Sequence, residues 1–133
     1  DKGEEMVAAN RSDSLGLAML REKAGVDCLV ISKERNPVVE ARCRKINVPC
    51  MQSVDDKAAA LNRVMVEKGL KPDEVIYMGN DTNDLPCFPI AGFTVAPSDA
   101  HVDVLRRADL VLSHAGGHGA VRELCDILMT GLQ

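Results

Sequence analysis

The stretch Glu74-Val75-Ile76-Tyr77-Met78-Gly79-Asn80-Asp81-Thr82-Asn83-Asp84 decides the fold of this chain. Glu74–Met78 is a short run rich in β-branched and aromatic residues, which predicts a buried strand. It breaks at Gly79 into a loop that packs two carboxylates and two amides into five residues. A buried strand that ends in a polar loop is the pattern of an open parallel sheet, whose ligands bind outside the carboxyl ends of the strands.

Upstream, Asp55 to Lys68 reads as a helix with Ala58, Leu61, Met65 and Val64 turned inward and Gly69 as its stop. Val48–Met51 is a short strand. Asn36-Pro37 opens a helix through Lys45, with proline at the first helical position. Val26–Ser32 is a continuous apolar run, expected to be a strand buried on both faces. Ser12-Asp13-Ser14 supplies N-cap residues for a helix from about residue 13 to 24, closed by Gly25. Downstream, Asp84 to Ile90 is a short helix, Phe93-Thr94-Val95 a strand, Ala100 to Arg107 a helix and Asp109–Leu112 a strand. A Gly/His loop over Ser113–Gly119 then leads into an amphipathic helix from Ala120 to Met129. Helices that alternate with short apolar strands predict a single α/β domain over residues 1–133 with a mostly parallel sheet.

Composition narrows the function. The chain has 133 residues, 46% hydrophobic and 27% charged, enough for one core. Only 2% are aromatic, with one Tyr, two Phe and no Trp, which argues against a base-stacking platform. The net charge of −4 gives no draw toward nucleic acid or an anionic membrane. No apolar run approaches the ~18 residues of a membrane span. Five cysteines without metal-ligand spacing read as reduced thiols, and the polar first residues do not resemble a signal peptide, so the expected compartment is the cytoplasm.

The candidate site residues follow the strands. Ser32 leaves a buried strand beside a helix start, where a hydroxyl suits a phosphate oxygen or a turn bond. Asn80, Asp81 and Asp84 offer hard oxygens that suit Mg²⁺, or else a helix cap. Lys57, at the start of a helix, is either a cation for a phosphate or a solvated lysine. Gly116-Gly117-His118-Gly119 allows a close backbone approach, or forms a turn into the last helix. His114 and His118 read as loop histidines rather than metal ligands.

A hydroxyl after one strand, a later helical lysine and a Gly-Asn-Asp-x-x-Asp loop after the next strand resemble, in that order, the haloacid dehalogenase (HAD) superfamily. Ser32 matches its second motif, Lys57 its third and Gly79–Asp84 its fourth. Ser12-Asp13-Ser14-Leu15-Gly16, Asp56-Lys57, Asn83-Asp84-Leu85 and Gly116–Glu123 resemble the capless 3-deoxy-sugar-acid phosphatases, including KDO-8-phosphate phosphatase. Asn80 and the run Asn83–Phe88 are most similar to the HAD domain fused to acylneuraminate cytidylyltransferases (CMP-sialic acid synthetases).

The resemblance implies a Rossmann-like three-layer core and a Mg²⁺-dependent phosphohydrolase that works through an aspartyl-phosphate on a phosphorylated sugar acid. Lys57 and Ser32 would be catalytic, with Ser32 also binding the phosphoryl group. Asp13, Lys33, Arg35 and His118 would bind substrate, and Asn80, Asp81 and Asp84 the metal. It also implies a homotetramer. The chain departs from the family at four places. No Asp-x-Asp occurs in it, so the nucleophile strand is expected upstream of Asp1. Asn80 stands for the first motif-four aspartate, Lys33-Glu34 for the usual Gly-Arg, and His118 for the tail arginine. The alternative implied by these departures is a phosphatase-like assembly domain of an acylneuraminate cytidylyltransferase with little or no hydrolase activity.

Overall fold

The computed structural model describes residues 11–131, and the side chains of residues 15–130. Helix α1 (Arg11–Met19) runs on through a π turn over Leu20–Ala24, and strand β1 (Val30–Ile31) follows. Helix α2 (Pro37–Lys45) leads to β2 (Cys50–Met51), and α3 (Lys57–Lys68) leads to β3 (Ile76–Met78). A 3₁₀ helix (Thr82–Cys87) connects to β4 (Phe93–Ala96), and then come α4 (Val102–Arg107), β5 (Leu110–Val111) and α5 (Ala120–Gly131).

The expected alternation of elements holds, while their lengths shift. The apolar run Val26–Ser32 yields only a two-residue strand, because ladder pairing with β2 begins at Val30. Asp84–Ile90 is not an independent helix. The turn starts earlier, at Thr82, and Pro86 inside it leaves a tight 3₁₀ form. Asn36 caps α2 by accepting the Val38 N–H at 2.9 Å, and Asp56 caps α3 by accepting the Ala59 N–H at 3.0 Å.

All strand pairs among the described residues are parallel. Among the described residues they form two sheets, β1-β2 and β3-β4-β5. The two sheets share the same helix layers. On one face Val30 packs with Leu17 of α1, Leu20 of the π turn, Val39 and Cys43 of α2, and Val121 and Cys125 of α5, with Met78 of β3 against the same cluster. On the other face Tyr77 and Ala96 pack with Leu61 and Met65 of α3 and Val104 of α4, and Ile31 of β1 joins them. This is the three-layer α/β/α arrangement. Hydrogen bonds from Val30 and Ser32 face β2, and those of Val75 and Gly79 face β4. The alternation of a parallel ladder therefore turns the peptide groups of Ile31, and of Ile76 and Met78, to the outer edges of the two sheets.

Helices α1 and α5 meet closely because Gly16 has no side chain. A Cβ there would lie 2.8 Å from Arg122 Cδ and 3.0 Å from Cys125 Cβ. Cys43, Cys87 and Cys125 are buried, and Cys28 and Cys50 partly so. Burial pushes the Cys43 thiol up to about 12, which makes it an unreactive core group. Among the described residues no helix is long and apolar enough to cross a membrane.

Candidate active site

The site grows from the carboxyl end of β3. Ladder pairing with β4 fixes the strand, and Gly79 turns it into the loop. The turn demands glycine, since a Cβ at Gly79 would come within 2.5 Å of Asp84 Cβ and 2.9 Å of its Cγ. The chain thus folds its own loop down onto the Asp84 side chain.

Asp84 is 2% exposed and has donors on both oxygens. Its Oδ1 accepts from Lys57 Nζ at 3.0 Å and from the Tyr77 hydroxyl at 2.6 Å. Its Oδ2 accepts the N–H of Asn80 at 2.9 Å and of Asp81 at 3.2 Å. Those four donors fill the acceptor capacity of one carboxylate. Lys57 is buried as well, at 6% exposed, so the solvated-lysine alternative is set aside. Its stem enters the interior at the first turn of α3 and its ammonium ends on Asp84. A buried ion pair needs such extra hydrogen bonds to offset desolvation. Burial, and then the Asp84 carboxylate, push the Tyr77 phenol up from its ordinary value, so it remains a donor at any physiological pH. Tyr77 also meets Phe88 edge-on at 6.2 Å.

The other loop groups are more open. Asp81 caps the 3₁₀ turn by accepting the Thr82 N–H at 2.7 Å. Asn80 is bonded through its backbone, its carbonyl accepting the His101 N–H at 2.8 Å.

The second loop of the same edge follows β1. Ser32 is fully buried and its Oγ accepts the Glu34 N–H at 3.0 Å. Glu34 then accepts the N–H groups of Arg35 and Asn36, both at 3.0 Å. The Asn36 hydrogen bond leads in lowering the Glu34 carboxyl below its ordinary value. Arg35 is paired with Asp55 at 2.9 Å on the surface, and Lys33 is exposed. Among the described residues no hydrogen bond or ion pair joins Ser32, Lys33 or Arg35 to the Gly79–Asp84 loop. Asp13 lies in α1, and its side chain is outside the described residues.

The third loop, Ser113–Gly119, is tied down from α5. Glu123 accepts from Ser113 N–H at 3.0 Å, Ser113 Oγ at 2.8 Å and His114 N–H at 2.9 Å, and lies 2.8 Å from His114 Nδ1. Gly116 N–H donates to Asp99 at 2.9 Å. Burial pushes the Glu123 carboxyl up, but these donors outweigh it and hold it at about 2. His118 is exposed in this loop, with its N–H on the Ala115 carbonyl.

The structure therefore joins Lys57, Asp84, Asn80 and Asp81 into one unit. It places Ser32, Lys33, Arg35 and His118 on loops that follow β1 and β5. The sequence reading missed Tyr77 and Glu123. A lone tyrosine inside an apolar strand signals a buried hydroxyl in need of a partner, which could have found the first.

The sequence matches the family described as haloacid dehalogenase-like hydrolase over residues 41–124. The chain belongs to the haloacid dehalogenase-like hydrolases. It is 36% identical to N-acylneuraminate cytidylyltransferase A of Danio rerio over 131 residues, which are 96% of this chain and 30% of that protein. It is 33% identical to the 3-deoxy-D-manno-octulosonate 8-phosphate phosphatase of Escherichia coli over 130 residues, which are 97% of this chain and 69% of that protein. The chain thus spans under a third of the first relative and about two thirds of the second. The same phosphatase of Moraxella catarrhalis, solved with a magnesium ion, a phosphate ion and KDO, superposes with a TM-score of 0.80 at 26% identity. The match covers 92% of this chain and 76% of that one.

Proposed function

We propose that this HAD-like chain carries the phosphate-handling half of a Mg²⁺-dependent phosphohydrolase that acts on a phosphorylated sugar acid. The observation that carries the reading is the buried Lys57–Asp84 pair, set against an oxygen-rich loop at the carboxyl end of a parallel strand. A buried lysine whose ammonium reaches the loop at a strand end suits the neutralisation of a phosphoryl group. Ser32 can offer its hydroxyl hydrogen to a phosphoryl oxygen, since its Oγ acts as acceptor toward Glu34. The substrate class comes from the named relatives, one a sugar-acid phosphate phosphatase and one an acylneuraminate cytidylyltransferase.

The loop suits Mg²⁺ by its donor chemistry. Asp81 offers a carboxylate and Asn80 an amide oxygen, both hard oxygen donors. Asp84 shapes the loop with all its lone pairs, so on this geometry Asn80 and Asp81 are the residues that would hold the ion. The chemistry such an ion supplies is neutralisation of phosphoryl-oxygen charge as the nucleophile arrives.

The reading assigns the nucleophilic aspartate to a segment outside these 133 residues, as no Asp-x-Asp occurs within them. A strand along the outer edges of β1 and β3 would meet the peptide groups of Ile31, Ile76 and Met78 and join the two sheets. The aspartate would attack phosphorus with loss of the sugar alkoxide, and water would then cleave the aspartyl-phosphate.

The test is phosphate release from 3-deoxy-D-manno-octulosonate 8-phosphate and from acylneuraminate phosphates, with and without Mg²⁺. The expected outcome is turnover by the full-length protein that Lys57→Ala abolishes, and none by residues 1–133 alone. Turnover by the 133-residue chain, or full-length turnover indifferent to Lys57, overturns the reading.

Two observations favour a second reading, an assembly domain that forms a homotetramer without hydrolysis. Asn80 replaces a metal-binding charge, and the Glu34 carboxylate sits on the Arg35 and Asn36 amides of the loop after Ser32. Sedimentation of the full-length protein as a tetramer, with no phosphate released from any sugar-acid phosphate, would select it.

A further inference from the structure

One buried polar group at the strand end takes no part in the chemistry above: the hydroxyl of Tyr77, a residue 9% exposed. It makes the shortest hydrogen bond of the site, 2.6 Å to Asp84 Oδ1, on the oxygen that also accepts from Lys57.

The geometry gives this hydroxyl a task. A carboxylate turns easily about its last bond, and a lysine ammonium at the end of a flexible stem does not fix that plane. A phenol does, because only two torsions separate its oxygen from the backbone. The Tyr77 backbone is held in register with Thr94 of β4, and its ring is braced edge-on by Phe88. The oxygen position is thus dictated by the sheet. With Oδ1 fixed by Tyr77, Oδ2 points at the Asn80 and Asp81 amides and holds the loop.

We propose that Tyr77 is a positioning residue of this site: its hydroxyl orients Asp84 so that one carboxylate holds the Lys57 ammonium on one oxygen and the Gly79–Asp84 loop on the other. Its functional meaning rests on the proposed role of Lys57 and that loop in handling phosphate and metal. Tyr77→Phe keeps the ring and removes only the O–H.

The test is amide hydrogen exchange in the full-length protein, read residue by residue. Asn80 and Asp81 bond to Asp84, whereas the neighbouring Gly79 N–H bonds to Val95 in the ladder at 3.0 Å. In Tyr77→Phe the Asn80 and Asp81 amides are expected to exchange at least about tenfold faster, with Gly79 changed by less than about threefold, the signature of local rather than global opening. Equal acceleration at all three amides shows a merely structural contribution and overturns the proposal, as does no change at any. If Tyr77→Phe does not fold, the wild-type chain decides. A slowly exchanging Tyr77 hydroxyl proton with cross-relaxation to the Asp84 methylene is expected, and its absence refutes the orientation. Inorganic phosphate affinity of the full-length protein, with and without Lys57→Ala, judges the functional reading separately. An affinity indifferent to Lys57 would remove that reading and leave the exchange rates to judge Tyr77.

Discussion

Lys57 and Asp84 show how a residue's surroundings rewrite its chemistry. A lysine at the first turn of a helix is ordinarily solvated, and here the ammonium is drawn inward to a carboxylate that also carries three other hydrogen bonds. Removing the cation leaves that carboxylate charged in the interior. Lys57→Ala is therefore expected to destabilise the chain by about 3–5 kcal/mol, the range for breaking a buried pair on one side. Denaturant unfolding measures it, and adding Asp84→Asn should recover part of the loss. A cost under about 1 kcal/mol would show that the pair is solvated after all. Gly79 belongs to the same unit. Gly79→Ala forces a Cβ into Asp84 Cβ, so the carboxylate and the loop cannot both keep their places. The expected result is loss of protection at the Asn80 and Asp81 amides, and unchanged protection there would refute the close approach.

At the scale of elements, the Ser113–Gly119 loop hangs on α5 through one carboxylate. Glu123 is held at about 2 in the fold, below its ordinary value, so its contribution to stability is complete above pH ~4.5. That contribution fades as the pH falls from there through the folded value near 2. Glu123→Gln keeps the shape and removes the charge, so the variant should be less stable at pH 7 and show a flatter acid limb. Thermal melts from pH 2 to 7 check this, and parallel limbs for the two proteins would exclude it. This coupling between a loop and a helix ten residues on was not legible in the sequence, because nothing in Ser113-His114 announces a carboxylate partner. What was legible had local causes. Asn36-Pro37 and Asp56 mark helix starts by capping, and Gly79 marks the strand end. Strand lengths were less legible. An apolar run such as Val26–Ile31 records burial, while a ladder exists only where a neighbouring strand supplies partners. The candidate site was legible as a set of residues, Lys57 with the Gly79–Asp84 loop, but the hydrogen bonding of Asp84 was not. Only the fold reveals that its lone pairs are filled from Tyr77, Lys57 and two amides.

For the whole molecule, each strand pair joins segments close in sequence, while the α1–α5 crossing brings together opposite ends of the described chain around Gly16. That difference sets an order of events in time. Short crossovers close early, and the contact of greatest sequence separation carries the largest loop-closure cost. The α1–α5 crossing is therefore expected to form after the rate-limiting step. Gly16→Val, which overpacks the crossing at a cost of about 1–3 kcal/mol, should then speed unfolding by about 5- to 150-fold and leave the refolding rate nearly unchanged. Stopped-flow chevrons read both limbs, and slowed refolding of matching size would place the crossing in the nucleus instead. On this kinetic view the missing side chain of Gly16 acts as a clasp, the last part of the molecule to shut and the first to open.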